Sequence, residues 1–344
     1  SMCMMSVMAS ETPAYTLSDA DTSGTCGADG DNLTWSFDAS TGKLAISGTG
    51  EMQNYTYYAP WAEFQSVIQT VEISGGVTSI GDSAFYYCYS LTSIEIPSSV
   101  TNIGDSAFAG CSNLTSIEIP SSVASIGYNA FSGCSSLTSI EIPSGVTSIG
   151  NYAFSNCHGL TSITVEDGNT FYASENGVLF NKDKTNLICY PAGKTEMEYS
   201  IPLSVTRIGD KAFSWCNSLT SIEIPSGVTS IGHYAFSNCH GLTSIEIPLS
   251  VTNIGFNVFS SCENLESIVV ASENMVYHSM WNCLIETERK ALIAGCKNSI
   301  IPTNGSVMII EDGAFQDCNG LISIVIPESI TSIGSAAFNG CYIT

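Results

Sequence analysis

A segment of the form Ala/Val-Phe-x-x-Cys returns at Phe85, Phe108, Phe131 and Phe154, again at Phe213, Phe236 and Phe259, and last at Phe315 and Phe338. Within each run the spacing is 23 residues, and every one of these phenylalanines has a cysteine three residues later. Self-similarity at a fixed period marks an architecture in which one unit cannot bury its apolar face alone and stacked neighbours supply the core. The unit that starts at Leu91, LTSIEIPSSVTNIGDSAFAGCSN, restarts at Leu114, Leu137, Leu160, Leu219, Leu242, Leu265 and Leu321. Its Leu-x-x-Ile-x-Ile portion alternates at the strand period of two, which turns Ile94 and Ile96 inward and Ser93 and Glu95 outward. Pro97 ends that strand because proline lacks a ladder N–H. Val100 and Ile103 form a second short apolar stretch, Gly104 supplies a turn, and Ala107, Phe108 and Cys111 bring the chain back to the core. Coils stacked ~4.8 Å apart close the core and satisfy the strand backbones.

These Leu-Thr-Ser-Ile-Glu-Ile-Pro, Val-Thr-Ser-Ile-Gly and Ala-Phe-x-x-Cys segments resemble the BspA-like class of leucine-rich repeats over residues 71–344. The resemblance implies a leucine-rich-repeat solenoid. The expected form is a right-handed, β-rich superhelix of stacked 23-residue repeats with short or irregular convex segments. It also implies an extracellular or cell-surface setting and a non-enzymatic role in adhesion to a host or neighbouring-cell protein or glycan; a structural spacer that displays another domain is the alternative reading.

Two insertions interrupt the period. Phe154 and Phe213 are 59 residues apart and Phe259 and Phe315 are 56 apart. Both gaps carry paired apolar runs around a polar turn (Val178-Leu179-Phe180 and Leu187-Ile188-Cys189; Cys283-Leu284-Ile285 and Ala291-Leu292-Ile293), which read as β-hairpins near 166–200 and 270–302. They hold five of the nine basic residues (Lys182, Lys184, Lys194, Arg289 and Lys290), so they are expected to be the least acidic surfaces. Residues 1–70 lack the repeat. Leu33–Phe37 and Lys43–Gly48 read as a hairpin, followed by an aromatic cluster of Tyr55, Tyr57, Tyr58 and Trp61. An open solenoid end exposes core and strand edges, so this segment reads as a cap, with a separate binding module as the alternative. No cap is evident after Cys341-Tyr342-Ile343-Thr344.

Lys and Arg number 9 against 32 Asp and Glu, a formal net charge of −23, which repels nucleic acid and anionic lipid. No apolar run is long enough for a transmembrane helix. Met2–Ser10 is apolar and ends in an acceptable cleavage sequence, Val7-Met8-Ala9, without a basic region before it; it reads as remains of an export signal. On the concave strand face a Ser-x-Glu pair recurs as Ser93/Glu95, Ser116/Glu118, Ser139/Glu141, Ser221/Glu223 and Ser244/Glu246. These ten residues are the candidate ligand-binding set. Carboxylates stacked about 5 Å apart repel by roughly 1 kcal/mol per pair in water. The column stands equally as a hydrated acidic face or as a receptor for a cationic partner or Ca²⁺. Thr164, Val269 and Val325 break it at equivalent positions.

No cofactor, metal centre or catalytic residue is expected. Nine cysteines fill one repeat position beside the core phenylalanine, where a reduced thiol serves as a small apolar side chain. His158 and His240 are copies of one loop, and neither they nor His233 and His278 lie in a nucleophile arrangement. Asp19–Gly24 resembles half a calcium loop but has Gly30 at its twelfth position.

Overall fold

The computed structural model describes residues 22–56 and 58–343, so the Met2–Ser10 segment and Asp19–Asp21 lie outside the described residues. The chain winds as a β-solenoid whose one helical element among the described residues is the short 3-10 turn Ala62–Phe64. Each coil supplies two strand positions. One is the Ser-Ile-Glu segment, paired parallel and in register across coils, as in Thr70–Ile73 with Ser93–Glu95 and Ser139–Ile142 with Ser162–Val165. The other is the Val-Thr-x-Ile stretch, and its short strands make the more continuous sheets. Val77–Ile80, Asn102–Ile103, Ser125–Ile126 and Ser148–Ile149 pair in succession, as do Arg207–Ile208, Ser230–Ile231 and Asn253–Ile254.

The third side of each coil is a turn rather than a strand. The residues two before and two after Phe85, Ser83 and Tyr87, take left-handed backbone with φ of 54° and 55°. That conformation turns the amides of Ser83, Phe85 and Tyr87 along the solenoid axis, where they donate to the carbonyls of Asp105, Ala107 and Ala109 on the next coil at 2.7–2.8 Å. The glycine before this turn is sterically required: a Cβ on Gly127 would lie 2.5 Å from the Gly104 carbonyl carbon.

Inside, phenylalanines stack coil on coil, with centroid spacings of 5.3 Å for Phe85–Phe108, 5.4 Å for Phe108–Phe131 and 5.4 Å for Phe213–Phe236. Trp61 and Tyr190 occupy the phenylalanine slot in coils that lack the motif, stacking on Phe85 at 5.9 Å and on Phe213 at 5.3 Å. The repeat cysteines are free thiols. Seven of the nine reach back to the preceding coil, with Cys111 donating to the Phe85 carbonyl at 3.1 Å, Cys134 to Phe108 at 3.3 Å and Cys239 to Phe213 at 3.0 Å, and Cys157, Cys216, Cys262 and Cys341 doing likewise. A weak donor in an apolar slot thereby adds a second bond to a carbonyl that already accepts the amide three residues on, as the Phe85 carbonyl does from Cys88. The abundant threonines do the same at the surface: Thr101, Thr161 and Thr229 hydroxyls donate to the carbonyls of Thr78, Thr138 and Thr206.

Both insertions are built alike. The first contains antiparallel strands Tyr172–Glu175, Val178–Asn181 and Asn186–Cys189, the last of which returns to a parallel register with Arg207–Ile208. The second repeats this with Tyr277–Met280, Cys283–Glu286 and Ala291–Ala294, which pairs with Ile309–Ile310. An Asn-x-x-Tyr-x-Ser sequence opens each. The fully buried Asn169 donates to the carbonyls of Pro143 and Val146 at 2.8 and 3.0 Å and accepts from the amides of Phe171 and Tyr172 at 2.8 Å. The Tyr172 hydroxyl then accepts the Ile149 amide at 2.8 Å, and Ser174 Oγ accepts the Val165 amide. Asn274, Tyr277 and Ser279 make the matching bonds to Pro248, Val251, Ile254 and Val270. These side chains take over coil-to-coil pairing where the chain departs from the period.

At the N-terminal side, Ser23–Gly27, Gly30–Asp38 and Lys43–Gly48 form an antiparallel sheet, and Lys43–Gly48 pairs parallel with Thr70–Ile73. Trp35, Phe37, Trp61 and Phe64 share one buried cluster with the coils up to Leu179, and separate clusters begin at each insertion.

Candidate functional site

Strand alternation places the sequence-derived site as its pattern requires: Ile94, Ile140, Ile222 and Ile245 are buried, while Glu95, Glu118, Glu141, Glu223 and Glu246 are exposed. Ser93 and Glu95, Ser139 and Glu141, Ser221 and Glu223, and Ser244 and Glu246 each lie on a strand. Ser116 and Glu118 do not, because residues 114–120 form no strand. The column also includes Glu72, directly opposite Glu95; its signal was the 23-residue offset, obscured because its coil lacks the Leu-Thr-Ser lead.

The sheet at this position is segmented, and most of its breaks fall where glutamates stack, although residues 321–327 also form no strand where no glutamate stands. Strands pair where a glutamate meets a neutral partner, as with Glu141 opposite Thr164, Glu223 opposite Ser200 and Glu246 opposite Val269. The Ser200 hydroxyl donates to Glu223 at 2.7 Å. The coils that would set Glu95 against Glu118, Glu118 against Glu141, and Glu223 against Glu246 share no paired strands at the Ser-Ile-Glu position, although they pair at the Val-Thr-x-Ile position. Glu72 and Glu95 do pair, and there Lys43 forms an ion pair with Glu72. Like charges directly opposite weaken a strand pair, so un-neutralised carboxylates loosen the sheet where they stack. Among the described residues, Glu95, Glu118, Glu141, Glu223 and Glu246 have no ion-pair partner.

The basic residues of the insertions are less available than their number suggests. Lys184 pairs with Glu175 at 2.5 Å, Lys194 with Glu196 at 3.0 Å, and Arg289 with Glu286 and Glu311 at 2.9 and 2.5 Å. The histidines are engaged in packing and local bonds. His158 and His240 flank Trp215 with centroids at 4.7 and 5.7 Å, His233 Nδ1 accepts the Phe256 amide, and His278 lies 2.9 Å from the Thr287 hydroxyl. Burial holds the thiols protonated, with Cys88 and Cys157 pushed up to about 12. A buried thiol of that kind is a poor nucleophile. Among the described residues no group of three or more His, Cys, Asp or Glu side chains is placed to hold a metal ion. None of the described helices is long and apolar enough to cross a membrane.

The family model for the BspA type leucine rich repeat region matches in six copies over residues 62–179, 194–288 and 289–344. Among solved structures, a leucine-rich repeat protein from Eubacterium ventriosum is 31% identical, covering 94% of this chain and 95% of that one with a TM-score of 0.71. The pneumococcal vaccine antigen PcpA is 19% identical over 91% of this chain and 97% of that one, with a TM-score of 0.55, and shares the fold. No curated protein sequence matches.

Proposed function

This chain belongs to the BspA-type leucine-rich repeat family, and from that premise we propose that it is a non-enzymatic extracellular or cell-surface adhesion protein. It engages a protein or glycan of a host or neighbouring cell through the strand face that carries Ser93/Glu95, Ser116/Glu118, Ser139/Glu141, Ser221/Glu223 and Ser244/Glu246. The observation that supports this reading is the column of glutamates on that face. They are exposed and have no ion-pair partner among the described residues, and strand pairing at this position is interrupted where most of them stack. A basic surface on the partner offsets the repulsion and gains from a field that the net charge of −23 reinforces. The hydroxyl- and amide-rich surface and the solenoid's broad repetitive face fit a secreted binding module.

In the same proposal, residues 22–70 cap the array. Their antiparallel sheet covers the strand edge of Thr70–Ile73, and Trp35 and Phe64 close the end of the aromatic stack. The two insertions extend the solenoid.

The test is binding to an immobilised panel of matrix proteins and glycans by wild type and by a Glu95→Lys/Glu118→Lys/Glu141→Lys variant, with calcium and chelator arms. The proposal expects at least one partner that the variant loses. Binding that survives the triple substitution removes the function from this face, and a folded protein that binds nothing on the panel points to a spacer.

A further inference from the structure

The two insertions are close copies in backbone and in their Asn-x-x-Tyr-x-Ser bonds, yet only the first leaves a cleft. Between the Phe154 coil and the Phe213 coil lies a cavity of about 320 Å³. In the second insertion the corresponding space shrinks to about 10 Å³. The difference lies in the side chains. Tyr152 corresponds to Asn257, and Lys211 to Gly313, each two residues before its phenylalanine. Asn186, opposite Arg207, corresponds to Ala291 opposite Ile309, and Tyr190 corresponds to Gly295. In the second copy Phe315 fills the room above Gly295, where a Cβ would meet its ring at 2.0 Å.

The lining of the first cleft has the makings of a recognition site. The Tyr190 side chain is 2% exposed and its hydroxyl has no hydrogen-bond partner, nor has the buried Asn186 Oδ1, and both residues line the cleft. Lys211 is half-buried with no acidic partner among the described residues, its Nζ 4.4 Å from the centroid of the Tyr152 ring. Arg207 adds a second cation, and the carboxyl of Asp210 is turned to the His233 amide at 2.9 Å. This cationic pair is set in a chain of net charge −23. The exposed Phe171 ring adds an apolar wall.

Backbone strain points to the same place. The position two before the repeat phenylalanine is left-handed in every coil and is filled by Ser83, Ser106, Asn129, Asn257, Gly313 and Ala336 elsewhere. At the coils on and beside the cleft it holds Tyr152, Lys211 and Tyr234, with φ of 63°, 54° and 54°. Bulky side chains are disfavoured in that conformation, and residues that keep it against strain concentrate at functional sites.

We propose that this cleft binds one acidic sugar residue, of the uronic or sialic acid class. Its carboxylate sits between Lys211 and Arg207, its hydroxyls supply the missing partners of Asn186 Oδ1 and Tyr190, and the apolar ring face packs on Phe171 and Tyr152. The volume falls at the lower end for ligand cavities, about 300–1,000 Å³, and suits a single ring. This site is independent of the carboxylate column and has the opposite charge preference.

The experiment is calorimetric titration of the full chain with sodium glucuronate and with N-acetylneuraminate, against glucose and succinate, using wild type, Lys211→Asn and Tyr190→Phe. Both variants are expected to fold with unchanged or raised Tm, since one adopts a residue found at that position in other coils and the other deletes a partnerless buried hydroxyl while keeping the stack on Phe213. Each is expected to weaken binding of the acidic sugar about tenfold or more, and glucose and succinate to bind wild type at least that much more weakly. Absence of saturable binding by both acidic sugars at millimolar concentration overturns the proposal, as do unchanged affinities in the two variants. Succinate binding as tightly as the sugar acids overturns the assignment of a sugar.

Discussion

Replacing Asn169 by alanine tests whether a side chain, rather than backbone, holds the array together at its first break. The wild-type amide makes four bonds, all of 2.8–3.0 Å, and the residue is fully buried. Alanine leaves the Val146 carbonyl and the Phe171 and Tyr172 amides without the partner Asn169 supplies, and takes one of its two bonds from the Pro143 carbonyl, which keeps the Val146 amide. At roughly 1 kcal/mol net for each bond the loss is about 4 kcal/mol, and more if water cannot reach the orphaned groups. In a solenoid, stability is the sum of coils and of the interfaces between neighbours, so a cost at one interface uncouples the two sides. Urea unfolding followed by circular dichroism is therefore expected to show an earlier transition. Hydrogen exchange should lose protection first at Phe171 and Tyr172 and in the Pro143–Val146 turn. Asn274→Ala, at a less buried site, is expected to cost less. A variant within 1 kcal/mol of wild type, with unchanged protection of those two amides, would refute the assignment of Asn169 as the tie.

Tyr172→Phe and Tyr277→Phe remove the acceptors of the Ile149 and Ile254 amides, and each is expected to cost about 1 kcal/mol with faster exchange at that one amide. Because burial raises the thiols of Cys88 and Cys157 to about 12, the unfolded chain releases these protons near pH 9 while the folded chain retains them. Their contribution is thus complete below pH 9 and lost as pH rises toward 12, by up to about 1.4 kcal/mol per pH unit for each thiol, and Cys88→Ala/Cys157→Ala is expected to flatten that part of the stability–pH curve. Glu118→Thr is expected to gain a few tenths of a kcal/mol at low ionic strength by relieving stacked charge, with strand exchange protection appearing at residues 115–119, and the gain should vanish in high salt. An unchanged midpoint at low salt would dissociate the segmented sheet from charge.

The 23-residue return of Leu-x-x-Ile-x-Ile and Phe-x-x-Cys determined the solenoid, the inward isoleucines, the stacked rings and the reduced thiols, because every coil meets the same neighbours and one unit's pattern states the packing of all. The outward Ser-x-Glu column was legible for the same reason. The sequence did not show which of the two strand positions carries the more continuous sheet, since Glu95, Glu118 and Glu141 are alike in one coil and pairing is decided only by how neighbouring coils stack. Nor did it distinguish the two insertions, whose hairpins look equivalent in the chain. Only the tertiary structure brings Tyr152, Asn186, Tyr190, Arg207 and Lys211 to one cleft, and sets Phe315 over Gly295 to fill its counterpart. Repetition fixes what adjacent coils share; where the period breaks, contacts between residues 20 to 60 apart decide whether the space is packed or left open.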